Sequence, residues 1–131
     1  LDHKVRFFPR MPHERLRAFT VCADLGLTLD KGSNVNYRLS LPNKLFDYIH
    51  AGIPVLASDL PEVAAIVKGY GIGEVLPDHQ PQTIARVATA MLNNGEGKAK
   101  WKENLIIAKE ALCWEKERES LRVLITQAYG E

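Results

Sequence analysis

The stretch Ser40–Ser58, SLPNKLFDYIHAGIPVLAS, decides the fold. Leu41, Leu45, Tyr48 and Ile49 recur at helical spacing and form one apolar stripe. Ser40 is suited to cap this helix, and Pro42 to its first turn, where a missing N–H does no harm. Gly52 supplies a left-handed stop. Ile53–Ala57 (IPVLA) then reads as a buried strand with Pro54 early in it. A helix that stops on a glycine and runs straight into an apolar strand is the repeating step of a parallel α/β sheet.

The flanking sequence continues the alternation. Upstream, Lys4–Phe8 (KVRFF) predicts a strand, closed by Pro9, Met11 and Pro12. Leu16, Phe19, Thr20 and Ala23 predict a helix over His13–Ala23, and Leu25–Leu29 (LGLTL) a buried strand. Asp30–Leu39 has no clean period and reads as a loop. Downstream, Pro61 and Glu62 open a short helix ending near Gly69, and Gly71–Leu76 predicts an edge strand. Ile84, Val87, Ala88, Met91 and Leu92 share one face of a helix over Pro81–Asn93. After a polar turn at Asn93–Gly97, two more helices are striped by Trp101, Leu105, Ala108 and Leu112 and by Leu121, Leu124, Ile125 and Ala128. The expectation is one α/β domain over 1–131: a Rossmann-like parallel sheet with flanking helices, with 98–131 as C-terminal helices.

Composition narrows the function. The net charge of +1 offers no strong field to nucleic acid or an anionic membrane, so an anion must be bound by local geometry. Cys22 and Cys113 lack metal-ligand spacing and make no disulfide framework. They predict small buried hydrophobes and a cytoplasmic location. No apolar run is long enough to span a bilayer and no signal peptide is visible. The abrupt opening in a strand suggests a piece of a longer protein.

Ligands of open parallel sheets bind outside the carboxyl ends of the strands. That rim takes in Pro9–Pro12, Asp30–Leu39, the start of the central helix and Ser58–Glu62. The helix start is the candidate anion site, since exposed N–H groups and the helix dipole favour negative charge there. Lys44, mildly unfavourable to the helix itself, becomes favourable beside an anion. Ser40, Lys44 and Asp47 are expected on similar sides, so Asp47 could accept hydrogen bonds from a diol one turn beyond a phosphate. The spacing equally allows Lys44 and Asp47 to pair with each other on a solvated face. His3, His13, His50 and His79 have no partner at ligand spacing, and Gly71 and Gly73 predict backbone packing. Trp101 and Trp114 read as core or docking aromatics.

The order of these segments resembles the C-terminal, donor-binding half of GT-B-fold glycosyltransferases, more closely the retaining group one (family four) enzymes. VRFFPRMPHERLRAFTVCADLGL has the spacing of that family's strand, base-contacting turn, helix and second strand. KLFDYIHAGIPVLASDLPEV resembles its most distinctive segment, and GIGEVLPDHQPQTIARVATAMLNN the strand, loop and helix after it. The resemblance covers about Val5–Asn93, with a weaker likeness in the tail. It implies that Asp47 binds the ribose hydroxyls of a nucleotide sugar. It puts Leu39 where the family has the acid that contacts the donor sugar, which Leu39 cannot replace; Asn36, Arg38 or the half of the family's fold without a counterpart here would have to supply that contact. Pro42-Asn43-Lys44 looks like a variant subgroup in which Lys44 and the helix amides hold the diphosphate, with Ser40 and Leu41 leading in. Pro9, Arg10 and Met11 fall on the nucleobase-contacting turn, with Pro9 in place of its usual glycine.

The implied reaction moves a sugar from a UDP- or GDP-linked donor to a hydroxyl acceptor, in polysaccharide biosynthesis. It needs no metal or cofactor beyond the donor, and no nucleic-acid partner. The family's acceptor domain and first two strand–helix units have no counterpart here. No catalytic residue is therefore expected in this chain, and alone it should be inactive, with exposed sheet edges that rearrange or self-associate. The resemblance also allows the intact protein a peripheral seat at the inner face of the membrane. The alternatives are another GT-B enzyme, such as a nucleotide-sugar epimerase, and a non-catalytic α/β binding module.

Overall fold

The computed structural model describes residues 3–130. Three parallel strands, β1 (Gly26–Thr28), β2 (Val55–Ser58) and β3 (Gly73–Leu76), form one sheet in the order β1-β2-β3. Helix α1 (His13–Thr20) precedes the sheet; α2 (Val35–Leu39) and α3 (Asn43–Ala51) connect β1 to β2. Helix α4 (Pro61–Tyr70) connects β2 to β3, and α5 (Pro81–Asn93), α6 (Gly95–Ala111) and α7 (Trp114–Tyr129) follow. The expected Rossmann-like α/β architecture is what forms. No helix among the described residues is long and apolar enough to cross a membrane.

The central strand shows why the sheet holds. All four residues of β2 are buried, and its three apolar residues alternate between two cores. Val55 and Ala57 face Leu45 and Ile49 of α3, Val63 and Val67 of α4, and Leu105 of α6. Leu56 faces the other way, onto Leu76, Met91 and Trp101, with Ile84 and Val87 of α5. Each fully buried Leu or Ile contributes roughly 1.5–3 kcal/mol, so the two layers around β2 dominate the stability of the domain.

Two helices end by one device. Gly52 (φ 73°) and Gly71 (φ 62°) adopt the left-handed conformation that closes α3 and α4. The residue after each glycine donates back into the helix, Ile53 N–H to Tyr48 and Ile72 N–H to Val67, and drops into the core at 2% and 0% exposure. Gly71 is thus a cap rather than the first residue of a strand. Gly73 does serve close backbone packing, since a Cβ there would overlap the Val55 carbonyl. α3 also lies directly on β1: the Tyr48 ring covers Gly26, where a Cβ would stand 2.5 Å from it, and its hydroxyl donates to the Leu27 carbonyl at 3.3 Å.

Several sequence expectations are corrected. Lys4–Phe8 forms no strand; the segment is exposed, with Phe7 at 95%. Its β-propensity has no neighbouring strand among the described residues to satisfy its N–H and C=O groups, and Phe8 instead packs tilted against Phe19, 5.0 Å between ring centroids. The helix of α1 stops at Thr20, and no residue of it is buried. The Asp30–Leu39 loop contains α2, started by Asn34, whose side chain accepts from Tyr37 N–H at 2.9 Å. Ser40 closes α2 rather than capping α3, whose first residue is preceded by Pro42 in extended conformation. Asn94 caps α6 through the Gly97 N–H, so most of the expected polar turn is helical. Cys22 is exposed and Cys113 half-buried, where the sequence predicts both buried; Trp101 is a core aromatic as expected, and Trp114 lies exposed.

Candidate functional site

Helix α3 begins beside the segment that leaves the carboxyl end of β1; Asp30 lies two residues beyond that end. Its first turn has no side-chain cap; the Leu45 N–H donates to the Pro42 carbonyl, while the Asn43 and Lys44 amides have no helical carbonyl before them to bond. Lys44 in that turn reaches across to Asp30, with Nζ 2.9 Å from Oδ2. Thr28, buried at 1% exposure, donates its hydroxyl to the same Oδ2 at 3.3 Å. The Lys44 hydrogen bond is the main cause that holds the Asp30 carboxyl below the usual carboxylate range, against a smaller opposing effect of burial. The acid offsets the cost of a lysine near a helix N-terminus, about 0.3–1 kcal/mol.

This ion pair lies in a cavity of about 340 Å³ whose wall also includes Tyr37, Ser40, Pro42, Asn43 and Leu60. The cavity is open, lined by both polar and apolar side chains, and within the size range of small-molecule sites. Ser40, Pro42, Asn43 and Lys44 are thus brought together as expected. Leu41 is not among them. It turns to a separate, mostly apolar cavity with Phe46, Ile66, Leu112 and Trp114.

Asp47 belongs to a second cavity, of about 210 Å³, in the groove between α3 and α1. His13, the first residue of α1, stands with Nε2 3.3 Å from Asp47 Oδ1. Arg17, Phe46 and His50 share that wall. Lys44 and Asp47 therefore do not pair with each other, and they open into different cavities along successive parts of one helix. Their real partners lie on neighbouring elements, which outcompete the i,i+3 contact. Met11, half-buried, and the exposed Pro9 and Arg10 lead into α1 just ahead of His13. Leu39 is 62% exposed on α2.

Sequence reasoning passed over Asp30, Tyr37, His13 and a third rim contact. Asp30 carried a usable signal, being the first polar residue after the apolar run Leu25–Leu29. Tyr37 carried none. The third contact joins the carboxyl end of β2 to the turn after β3: Ser58 Oγ lies 2.7 Å from His79 Nε2, and Ser58 is 1% exposed. His50 also has a partner at 3.0 Å, the Leu112 carbonyl, which ties α3 to the end of α6. Among the described residues no group of three His, Cys, Asp or Glu is arranged to hold a metal.

No family model matches the chain. It is similar to a chitobiosyldiphosphodolichol beta-mannosyltransferase of Candida albicans, 29% identical over 97 residues, which covers 63% of this chain and 21% of that protein. The chain thus spans about a fifth of the length of the curated relative it matches. This distant, partial similarity and the parallel sheet with flanking helices together fit a glycosyltransferase-like domain.

Proposed function

We propose that this chain is the donor-binding part of a retaining glycosyltransferase of the GT-B fold, group one (family four). In this reading a nucleoside diphosphate sugar, UDP- or GDP-linked, lies along the start of α3. The observation that carries it is the placement of Lys44 and Asp47 in two successive cavities of one helix. The first-turn amides and Lys44 receive the diphosphate, where the helix dipole and the ammonium both favour negative charge. Asp47, farther along α3, accepts from the ribose hydroxyls once His13 yields it. The nucleobase extends toward Pro9–Met11, the turn before α1. Ser40, Pro42 and Asn43 shape the cavity wall.

The chemical contribution of such a site is to hold the donor in register and to neutralise the diphosphate as it leaves. The relative's name makes a mannosyl donor the first to try. The transfer to a hydroxyl acceptor, the acceptor-binding half, the polysaccharide setting and a place in the cytoplasm or at the inner membrane face belong to the proposal for the intact protein.

Titration calorimetry with UDP and with GDP tests the site. The parent chain should bind at least one of them, and Lys44→Ala and Asp47→Ala should each weaken it. Equal affinity in the parent and both variants would reject the assignment.

A further inference from the structure

We infer that Asp30 reads the hydroxyls of the sugar carried by the diphosphate, and so makes this cavity select a glycosylated nucleotide over the bare one. The inference rests on the reading of the cavity as a diphosphate site. Asp30 is a carboxylate held in its charged form beside the lysine that would take the phosphate, 2.9 Å from Nζ. A carboxylate repels phosphate oxygens, so next to an anion it can only serve a neutral, hydrogen-donating part of the ligand. An ammonium has three donors, enough for Asp30 and a phosphate oxygen at once. The ion pair then need not break when the anion arrives.

The geometry leaves capacity for this role. The Lys44 and Thr28 bonds both fall on Oδ2, and neither uses Oδ1. An ionised carboxylate offers about four acceptor sites. The Thr28 hydroxyl comes from a fully buried strand residue, so the carboxylate is braced from below rather than free to swing. Tyr37, on the wall of the same cavity, adds an aromatic ring. A ring and a carboxylate on one cavity wall match a pyranose, with its C–H face and its hydroxyl edge. With the ribose and base of a bare nucleoside diphosphate directed along α3 toward Asp47, no sugar hydroxyl remains beside Asp30 and Tyr37.

Asp30→Asn separates the two parts of the ligand. The parent and the variant are titrated with UDP, UDP-glucose, GDP and GDP-mannose. In the parent the matching sugar nucleotide should bind about tenfold more tightly than its diphosphate, the scale of a hydrogen bond to a charged group. In Asp30→Asn that advantage should vanish, while the diphosphate binds as tightly or more tightly, because a negative charge beside it has gone. Retained diphosphate affinity also shows that the variant is folded. Asp30→Glu should recover part of the sugar advantage. Diphosphate binding with no sugar advantage in the parent, or with an advantage that survives in Asp30→Asn, overturns this role and leaves the diphosphate site standing. No binding of either diphosphate by the parent overturns both.

Discussion

The two cavities along α3 are built to different standards. At the helix start, Lys44 meets an acid two residues beyond the end of β1 that is braced by a buried threonine. Farther along, Asp47 meets a histidine on α1, a helix with no buried residue. The first cavity is an extension of the sheet. The second is closed by a wall that rests on the domain from outside, backed by exposed residues such as Leu16 and Phe19. Rigid support suits the end of a site that must place charge accurately, and a loosely held wall suits the end that must admit a bulky group.

The largest difference should appear in stability. Leu45, the neighbour of Lys44 in α3, is at 0% exposure within the core formed by α3, α4 and α6. Leu45→Ala should destabilise the chain by about 2–5 kcal/mol, measured by urea unfolding. Leu16→Ala, on the wall of the second cavity and 43% exposed, should cost no more than about 0.5 kcal/mol. Comparable losses would mean that α1 is as firmly docked as α3.

Affinity gives the next contrast. Lys44→Ala should lower nucleoside diphosphate affinity by about 1.5–3 kcal/mol, the value of hydrogen bonds to a charged group. His13→Ala should leave affinity within about threefold, or raise it, since it frees Asp47 from its partner at 3.3 Å. A strong loss in His13→Ala would make the histidine part of the site rather than a placeholder.

Gly26→Ala probes how firmly the first cavity's helix is seated. Its Cβ would stand 2.5 Å from the Tyr48 ring, so α3 or the ring must shift. Overpacking of this kind costs about 1–3 kcal/mol, and here it should also move the Asp30–Lys44 geometry and weaken diphosphate binding. Unchanged binding would show that the cavity tolerates a displaced helix.

Acid should have the smallest effect. The folded-state pKa of Asp30 is lowered, chiefly by the Lys44 hydrogen bond. Its contribution is therefore fully present above the ordinary value of 3.8 and is lost as pH falls through the lower, folded value. The pair is partly exposed, so the loss should stay under about 1 kcal/mol. In Asp30→Asn, the part of the acid destabilisation due to this residue should disappear from melts taken between pH 5 and pH 2. An unchanged acid profile would remove the ion pair from the stability of the cavity.

What was legible in the chain follows from how local each determinant is. The unit α3–Gly52–β2 and the helix α5 were readable because stripe, proline and glycine all act within a few residues. Buried strands were readable as short apolar runs. The segment Lys4–Phe8 misled because a strand is completed by a neighbour, which no propensity records. The sequence places the start of α3 two residues early because Asn34 starts a separate helix that ends on Ser40. The ion pairs were the least legible. Lys44 and Asp47 are three apart and suggested each other, yet their partners are 14 residues upstream in Asp30 and 34 upstream in His13, distances only the fold can close.

One measurement addresses the central claim that a single nucleotide spans both cavities along α3. Backbone amide shifts of the isotope-labelled chain are followed while UDP or GDP is added. Saturable changes should concentrate at Asn43–Leu45 and Asp30 in the first cavity and at Asp47 and His13 in the second, all with one dissociation constant, while the exposed helix α7 stays still. Saturation confined to one cavity, different constants for the two, or changes centred away from α3 would contradict it.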